Sequence, residues 1–221
     1  MFLSTLFHPE LKEFEEYDEF PVFEENFESF LGESLIGSEE WKRYLTEEDP
    51  QVEAEPISKK GRDLFKLYAR QGSVVIDFVT GYGGDALLFS RLVGPDGKVL
   101  ALASDPDKLR ALFWNLVRSH VQNTKVYHTS ERLDDLDLED VSMLLVDAKG
   151  KEDIMLEGAK KTIQRCKPAL LVHMLGGLSV ENGDRYIKQE FEERFQQMRN
   201  WGYTTQHVEG AWYLALPKDL S

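Results

Sequence analysis

The stretch Val74-Val75-Ile76-Asp77-Phe78-Val79-Thr80-Gly81-Tyr82-Gly83-Gly84-Asp85 decides how the rest of the chain is read. Its first three residues are apolar without alternation, as in a parallel strand covered on both faces. Gly81, Gly83 and Gly84 then let the backbone turn tightly and come close to a ligand. Ala86-Leu87-Leu88-Phe89-Ser90-Arg91-Leu92-Val93 follows with helical character. A strand that feeds a helix through glycines leaves free backbone N–H groups at the helix start, where a nucleotide or a carboxylate can bind. A tight βα turn without a ligand satisfies the same pattern. The dinucleotide fingerprint G-x-G-x-x-G is absent, because its third glycine falls on Ala86.

Outward from this stretch, strand and helix patterns alternate. Ser58 caps a helix predicted over residues 59–70. Strands are expected at 74–79, 98–103, 124–128, 141–146 and 169–173. Helices are expected at 83–92, from Pro106 to His120, at 151–165 and at 183–200. Asp105 at the N-cap and Pro106 in the first turn mark the second of these. Residues 203–208 and 211–216 are close enough to form a terminal hairpin through Glu209-Gly210. Such alternation predicts an α/β fold with a mostly parallel, Rossmann-like sheet covered on both faces, closed by an antiparallel C-terminal hairpin. Ligands then bind outside the carboxyl ends of the strands, where strand order reverses. That rim collects residues 77–84, 103–105, His128, 147–150 and 173–176.

The chain has 221 residues and a net charge of −14. Residues 1–60 hold 5 Lys and Arg against 17 Asp and Glu, a balance of −12, which leaves −2 for the remainder. The acidity argues against a general nucleic-acid binder, since phosphate contacts need clustered cations. It argues equally against docking on anionic membranes. Two domains are read: an acidic, aromatic-rich N-terminal extension over 1–57 and an α/β domain over 58–221. Within the extension, Phe14, Tyr17 and Phe20, then Phe23, Phe27, Phe30 and Leu31, follow helical spacing on either side of Pro21. These two short helices either pack on the chain's own body, cover the active site, or form an arm toward a second copy or a protein partner. Cys166 is the only cysteine, so no intrachain disulfide forms, which suits a reducing, cytoplasmic setting. No apolar run has transmembrane length.

From residue 73 to 217 the sequence resembles the class I S-adenosylmethionine-dependent methyltransferases, and within them the FkbM family of O-methyltransferases. The resemblance rests on Asp77 and Gly83, on Gly94-Pro95-Asp96-Gly97-Lys98-Val99, and on Asn115-Leu116 in the next helix. Asp147-Ala148-Lys149-Gly150-Lys151-Glu152, Glu157-Gly158-Ala159, Lys167 to Val172 and Gly202-Tyr203 continue it. It implies S-adenosylmethionine as cofactor and a small-molecule or sugar hydroxyl as methyl acceptor. The cofactor-binding positions it carries over are Asp77, Val79, Gly81, Gly83, Gly84, Ala103 and Asp105. Several depart from the family pattern. Val79 replaces a glycine, Gly81 an asparagine, Ala103 the acid that holds the ribose hydroxyls, Lys149 a glutamate, and His173 a glutamate. Phe78-x-x-Gly81-x-Gly83-Gly84-x-Ala86-x-x-Phe89 also looks like the first motif of cap-guanine N-methyltransferases. The aromatic purine clamp of those enzymes has no counterpart at Asp147-Ala148-Lys149-Gly150.

Methyl transfer to a hydroxyl needs close approach to the sulfonium and a proton acceptor. Asp147 and His173 end neighbouring predicted strands and are the candidate catalytic pair. His173 can take a proton near neutral pH, with Asp147 to orient it; a strand-end imidazole bonded to a backbone carbonyl is the alternative. Asp147, Glu152, His128 and His173 lack sequence-local metal-ligand spacing, so no metal is predicted. Two functions follow from the same residues. One is an active methyltransferase; the other is a methyltransferase-fold protein that has lost the chemistry and works as a binding or assembly partner.

Overall fold

Five parallel strands carry the domain, and each buries residues on both faces. They are β1 (Val74–Phe78), β2 (Lys98–Ala103), β3 (Thr124–His128), β4 (Val141–Val146) and β5 (Ala169–His173). The hairpin adds β6 (Tyr203–Glu209) and β7 (Trp212–Pro217). The computed structural model describes residues 39–46, 49–54, 59–78, 80–128, 133–148, 151–174 and 183–220. The helices expected between residues 8 and 31 lie outside these residues, as do Val79, Lys149 and Gly150.

The seven strands form one sheet in the order β3-β2-β1-β4-β5-β7-β6. β1 pairs in parallel with β2 on one side and with β4 on the other. The order therefore reverses at β1, and the crevice for a ligand opens at the carboxyl ends of β1 and β4. β7 pairs antiparallel with β5 and with β6.

Two hydrophobic clusters sandwich the sheet. Alternate residues of each strand feed opposite clusters, as the pleat requires. Val75, Ala101, Val126 and Leu145 point to one; Ile76, Leu100, Tyr127 and Leu144 point to the other. The first cluster is covered by α1 (Glu39–Thr46), α2 (Lys59–Tyr68), α3 (Gly84–Val93) and α4 (Pro106–Arg118). Leu45 from α1 is fully buried there, and Phe65 of α2 meets Phe89 of α3 at a ring distance of 4.4 Å. The second is covered by α5 (Glu152–Gly158), α6 (Lys160–Cys166) and α7 (Gly183–Asn200), through Leu156, Ile163 and Met198.

The single helix expected over 151–165 is two helices in the structure. Ala159 closes α5 and opens α6 with φ −107° and ψ 4°. The cause is distant in sequence. Asp134, from a short 3₁₀ turn at Leu133–Leu136, accepts the backbone N–H groups of Lys161 at 3.1 Å and Thr162 at 2.9 Å. A carboxylate placed there caps a new helix start. α4 stops at Arg118, two residues early, because His120 has a left-handed φ of 52°. Residues 39–46 and 49–54, read as part of the extension, pack on the α/β body through Leu45 and through the Asp49 pair with Arg118.

Across the second face, the fully buried carboxylate of Glu152 lies 3.3 Å from the Arg194 guanidinium, which also faces Asp153 at 3.9 Å. This ion pair ties α5 to α7.

Candidate active site

The turn after β1 is held from three sides. Thr80 N–H donates to Leu102 O at 2.9 Å, which keeps the start of the turn against β2. Gly83 has φ 98°, a left-handed value that favours glycine. A Cβ at Gly83 would lie 2.6 Å from Leu112 Cδ1 of α4, so a side chain there would also require Leu112 to shift. The Asn115 amide, also on α4, donates to Tyr82 O at 2.7 Å. Gly83 is the N-cap of α3 and offers no side-chain acceptor to its first-turn N–H groups. The positive end of that helix therefore faces the rim.

Asp77 is the penultimate residue of β1, just before that turn. It is only 2% exposed, and its Oδ2 has no hydrogen-bond partner among the described residues. Burial raises its pKa well above the usual carboxylate range; the neighbouring Asp85 and Asp147 carboxylates add to this, while a hydrogen bond from Thr80 opposes it. An unpaired carboxylate oxygen kept out of water is costly unless a ligand supplies the missing donor or cation. Three carboxylates, on β1, α3 and the end of β4, thus bear on one another at the carboxyl end of β1. Together they favour a positively charged occupant.

One strand further along, His173 Nδ1 and Asp147 Oδ1 are 2.9 Å apart. Both residues are partly exposed, at 20% and 32% of their side-chain surface. With Nδ1–H donated to Asp147, Nε2 is left as the acceptor nitrogen. The imidazole stacks on the Trp212 ring at 4.5 Å and 28°. His173 and Trp212 are register partners between β5 and β7, and Met174 N–H donates to Ala211 O at 2.8 Å just beyond. Stacking and the carboxylate together fix the ring in its plane.

The structure thus brings Asp77, Gly81, Gly83, Gly84, Asp147 and His173 to one rim. Ala103, at the end of β2, is buried and carries no polar atom where the resemblance expects a ribose-binding acid. Asp105 is exposed and its Oδ1 accepts Asp107 N–H at 2.9 Å, as a helix cap. Trp212, Thr80 and the support role of Asn115 escaped the sequence reading. Trp212 had a signal available: the second strand of a terminal hairpin must start where its parallel neighbour ends. Among the described residues, no group of three or more His, Cys, Asp or Glu side chains is placed to hold a metal ion. No helix among them is long and apolar enough to cross a membrane.

No protein-family model matches the sequence, and no curated protein sequence matches it. Solved structures do match the fold. Cofactor-bound Rv0187 from MTB aligns over 86% of this chain and 95% of its own, with a TM-score of 0.56 and 20% identity. The chain has the class I S-adenosylmethionine-dependent methyltransferase fold. The Aeropyrum pernix fibrillarin with natively bound S-adenosyl-L-methionine aligns over 80% of this chain and 76% of its own, at TM-score 0.53 and 16% identity. An rRNA methylase from Streptococcus thermophilus covers 70% of this chain and 90% of its own, at TM-score 0.50 and 18% identity. At these identities the likeness is one of architecture.

Proposed function

We propose that the chain is an S-adenosylmethionine-dependent methyltransferase of the FkbM-like type that methylates a hydroxyl of a small molecule or sugar. The observation that carries the cofactor is the orphaned Oδ2 of Asp77, in a crevice bearing three carboxylates beside the open start of α3. S-Adenosylmethionine has both a sulfonium and an ammonium cation, and the crevice suits such a charge. Asp77 and the backbone of Gly81–Gly84 would hold its amino-acid end. Ala103 leaves the ribose without the acid that the family pattern provides, so affinity would rest on that other end.

When bound, the cofactor supplies an electrophilic methyl group. The chain's residues supply the rest. His173 Nε2 accepts the proton of an acceptor hydroxyl held at the ends of β4 and β5. Asp147 keeps Nδ1 protonated and stabilises the imidazolium that forms. Trp212 holds the ring plane and shields one face of it from water.

Ala103 also supports a second reading, a methyltransferase fold retained for binding without chemistry. Calorimetric titration with S-adenosylhomocysteine separates the two. Micromolar binding, about −8 kcal/mol, is the expected result; silence up to millimolar ligand sinks the cofactor reading.

A further inference from the structure

Among the described residues, the segment preceding the α/β domain is hydrogen-bonded to α4 at three points, and the Arg110 guanidinium of α4 lies over the Tyr44 ring at 5.0 Å. Tyr44 Oη donates to Asp107 Oδ1 at 2.6 Å. Trp114 Nε1 donates to Leu45 O at 2.9 Å. Arg118 makes the third and most branched attachment. Its Nη1 lies 2.5 Å from both carboxylate oxygens of Asp49, and its Nη2 donates to Val52 O at 2.9 Å and to Asn115 Oδ1 at 2.5 Å. Asn115 is only 5% exposed and is the same residue whose amide donates to Tyr82 O at 2.7 Å. With its oxygen occupied by Arg118, the side-chain amide must present its N–H₂ to the turn. An unbroken polar chain thus runs from Asp49 and Val52 through Arg118 and Asn115 to the glycine turn.

We infer that residues 49–52 are a working part of the cofactor site, and that Arg118 is a positioning residue through which this strap sets the conformation of Tyr82–Gly84. The inference rests on the proposed cofactor reading of that turn. Its physical content is a difference between two effects. Arg118 and Asp49 are partly exposed, so their ion pair contributes little to overall stability. Asn115 is buried and has one donor aimed at the turn, so loss of Arg118 frees it to rotate away from Tyr82 O. Turn geometry and cofactor affinity then suffer more than the fold does. Linkage makes the coupling reciprocal: cofactor that tightens the turn also tightens the strap.

The test titrates full-length wild type, Arg118→Met, Asp49→Asn and Arg118→Lys with S-adenosylhomocysteine. Arg165→Met serves as control, because Arg165 makes a comparable pair with Asp137 at 2.7 Å on the opposite side of the sheet. Arg118→Met and Asp49→Asn are expected to weaken binding about five- to tenfold, within the usual range of coupling. Arg118→Lys should fall between, since an ammonium reaches Asp49 but cannot fork to three acceptors. Arg165→Met should stay within about twofold at a similar thermal midpoint. Ligand should also slow hydrogen exchange at the Gln51 amide, which donates to Asp49 Oδ1 at 2.8 Å. Unchanged affinity in both Arg118→Met and Asp49→Asn overturns the inference. If wild type itself fails to bind, the cofactor reading has failed, and exchange at the Leu87 amide decides the strap alone. That amide donates to Gly83 O at 2.9 Å. Faster exchange in Arg118→Met than in Arg165→Met supports the inference, and equal rates refute it.

Discussion

Replacing Asp77 by asparagine should stabilise the protein while it damages the site. Asp77 is 2% exposed and one of its carboxylate oxygens is unpaired among the described residues. Asp85 and Asp147 add like charge to the cost of burial. Leaving such a group unsatisfied costs about 1–3 kcal/mol. Asparagine removes the charge and turns an N–H₂ donor toward the same carboxylates. In a chain of this length, each kcal/mol moves the thermal midpoint by about 2–4 °C. Asp77→Asn should therefore melt about 2–12 °C higher at pH 7 in the absence of ligand. The pH dependence has a fixed sign. Because the folded-state pKa is raised, wild type keeps its full stability below the unfolded carboxylate value of about 4 and loses it as pH rises through the raised one. The gap between variant and wild type should thus close on acidification. Circular-dichroism melts from pH 4 to 8 measure it, and calorimetry with S-adenosylhomocysteine should show binding weakened at least tenfold. A lower midpoint for Asp77→Asn at every pH would refute the argument that the carboxylate is held at a cost for a cationic ligand.

His173→Gln and Asp147→Asn should each lower turnover by about 10²–10⁴-fold once an acceptor is found, with S-adenosylhomocysteine affinity within twofold; a parallel loss of affinity would deny them a role confined to proton transfer. Arg194→Met takes the guanidinium away from the buried Glu152 carboxylate and should cost about 3–5 kcal/mol in urea unfolding, whereas adding Glu152→Leu should restore much of it. Gly83→Ala places a Cβ against Leu112 at a positive φ and should cost about 1–3 kcal/mol; Gly83→Ala with Leu112→Ala should relieve only the steric part. Asp49 is desolvated, which alone would raise its pKa, but the Arg118 hydrogen bond, the Gln51 N–H and the Arg118 charge outweigh this and hold it below the usual range. Its contribution is therefore complete above about pH 4 and is lost as pH falls through the lowered value, so the Gln51 amide should lose exchange protection on acidification.

The parallel strands were legible because most are short apolar runs between turn residues, a signal contained within the strand itself. β2, β3, β4 and β5 begin and end where the sequence places them. The Asp105 cap was legible for the same reason, since N-cap chemistry spans only two or three residues. The break at Ala159 was not, because the carboxylate that causes it comes from Asp134, 28 positions before Thr162. Nor was the strap. Asp49 reads as one more charge in an acidic linker, and only the fold brings it to Arg118, 69 residues on. Proximity of Asp147 and His173 followed from strand order once the fold was recognised, whereas the stacking of Trp212 needed the direction of β7.

That direction has a wider consequence. A parallel strand in this position would deliver its last residue to the edge that carries His173 and spend its first on the far side. Because β7 runs the other way, its opening residue and the Glu209-Gly210 bend reach the edge together, beside His173. The two ends of the crevice are therefore written by stretches of gene about 130 codons apart, between Gly81–Gly84 and Trp212. Substitutions in the bend can reshape the proposed acceptor side while the glycine turn, the proposed cofactor side, stays as it is.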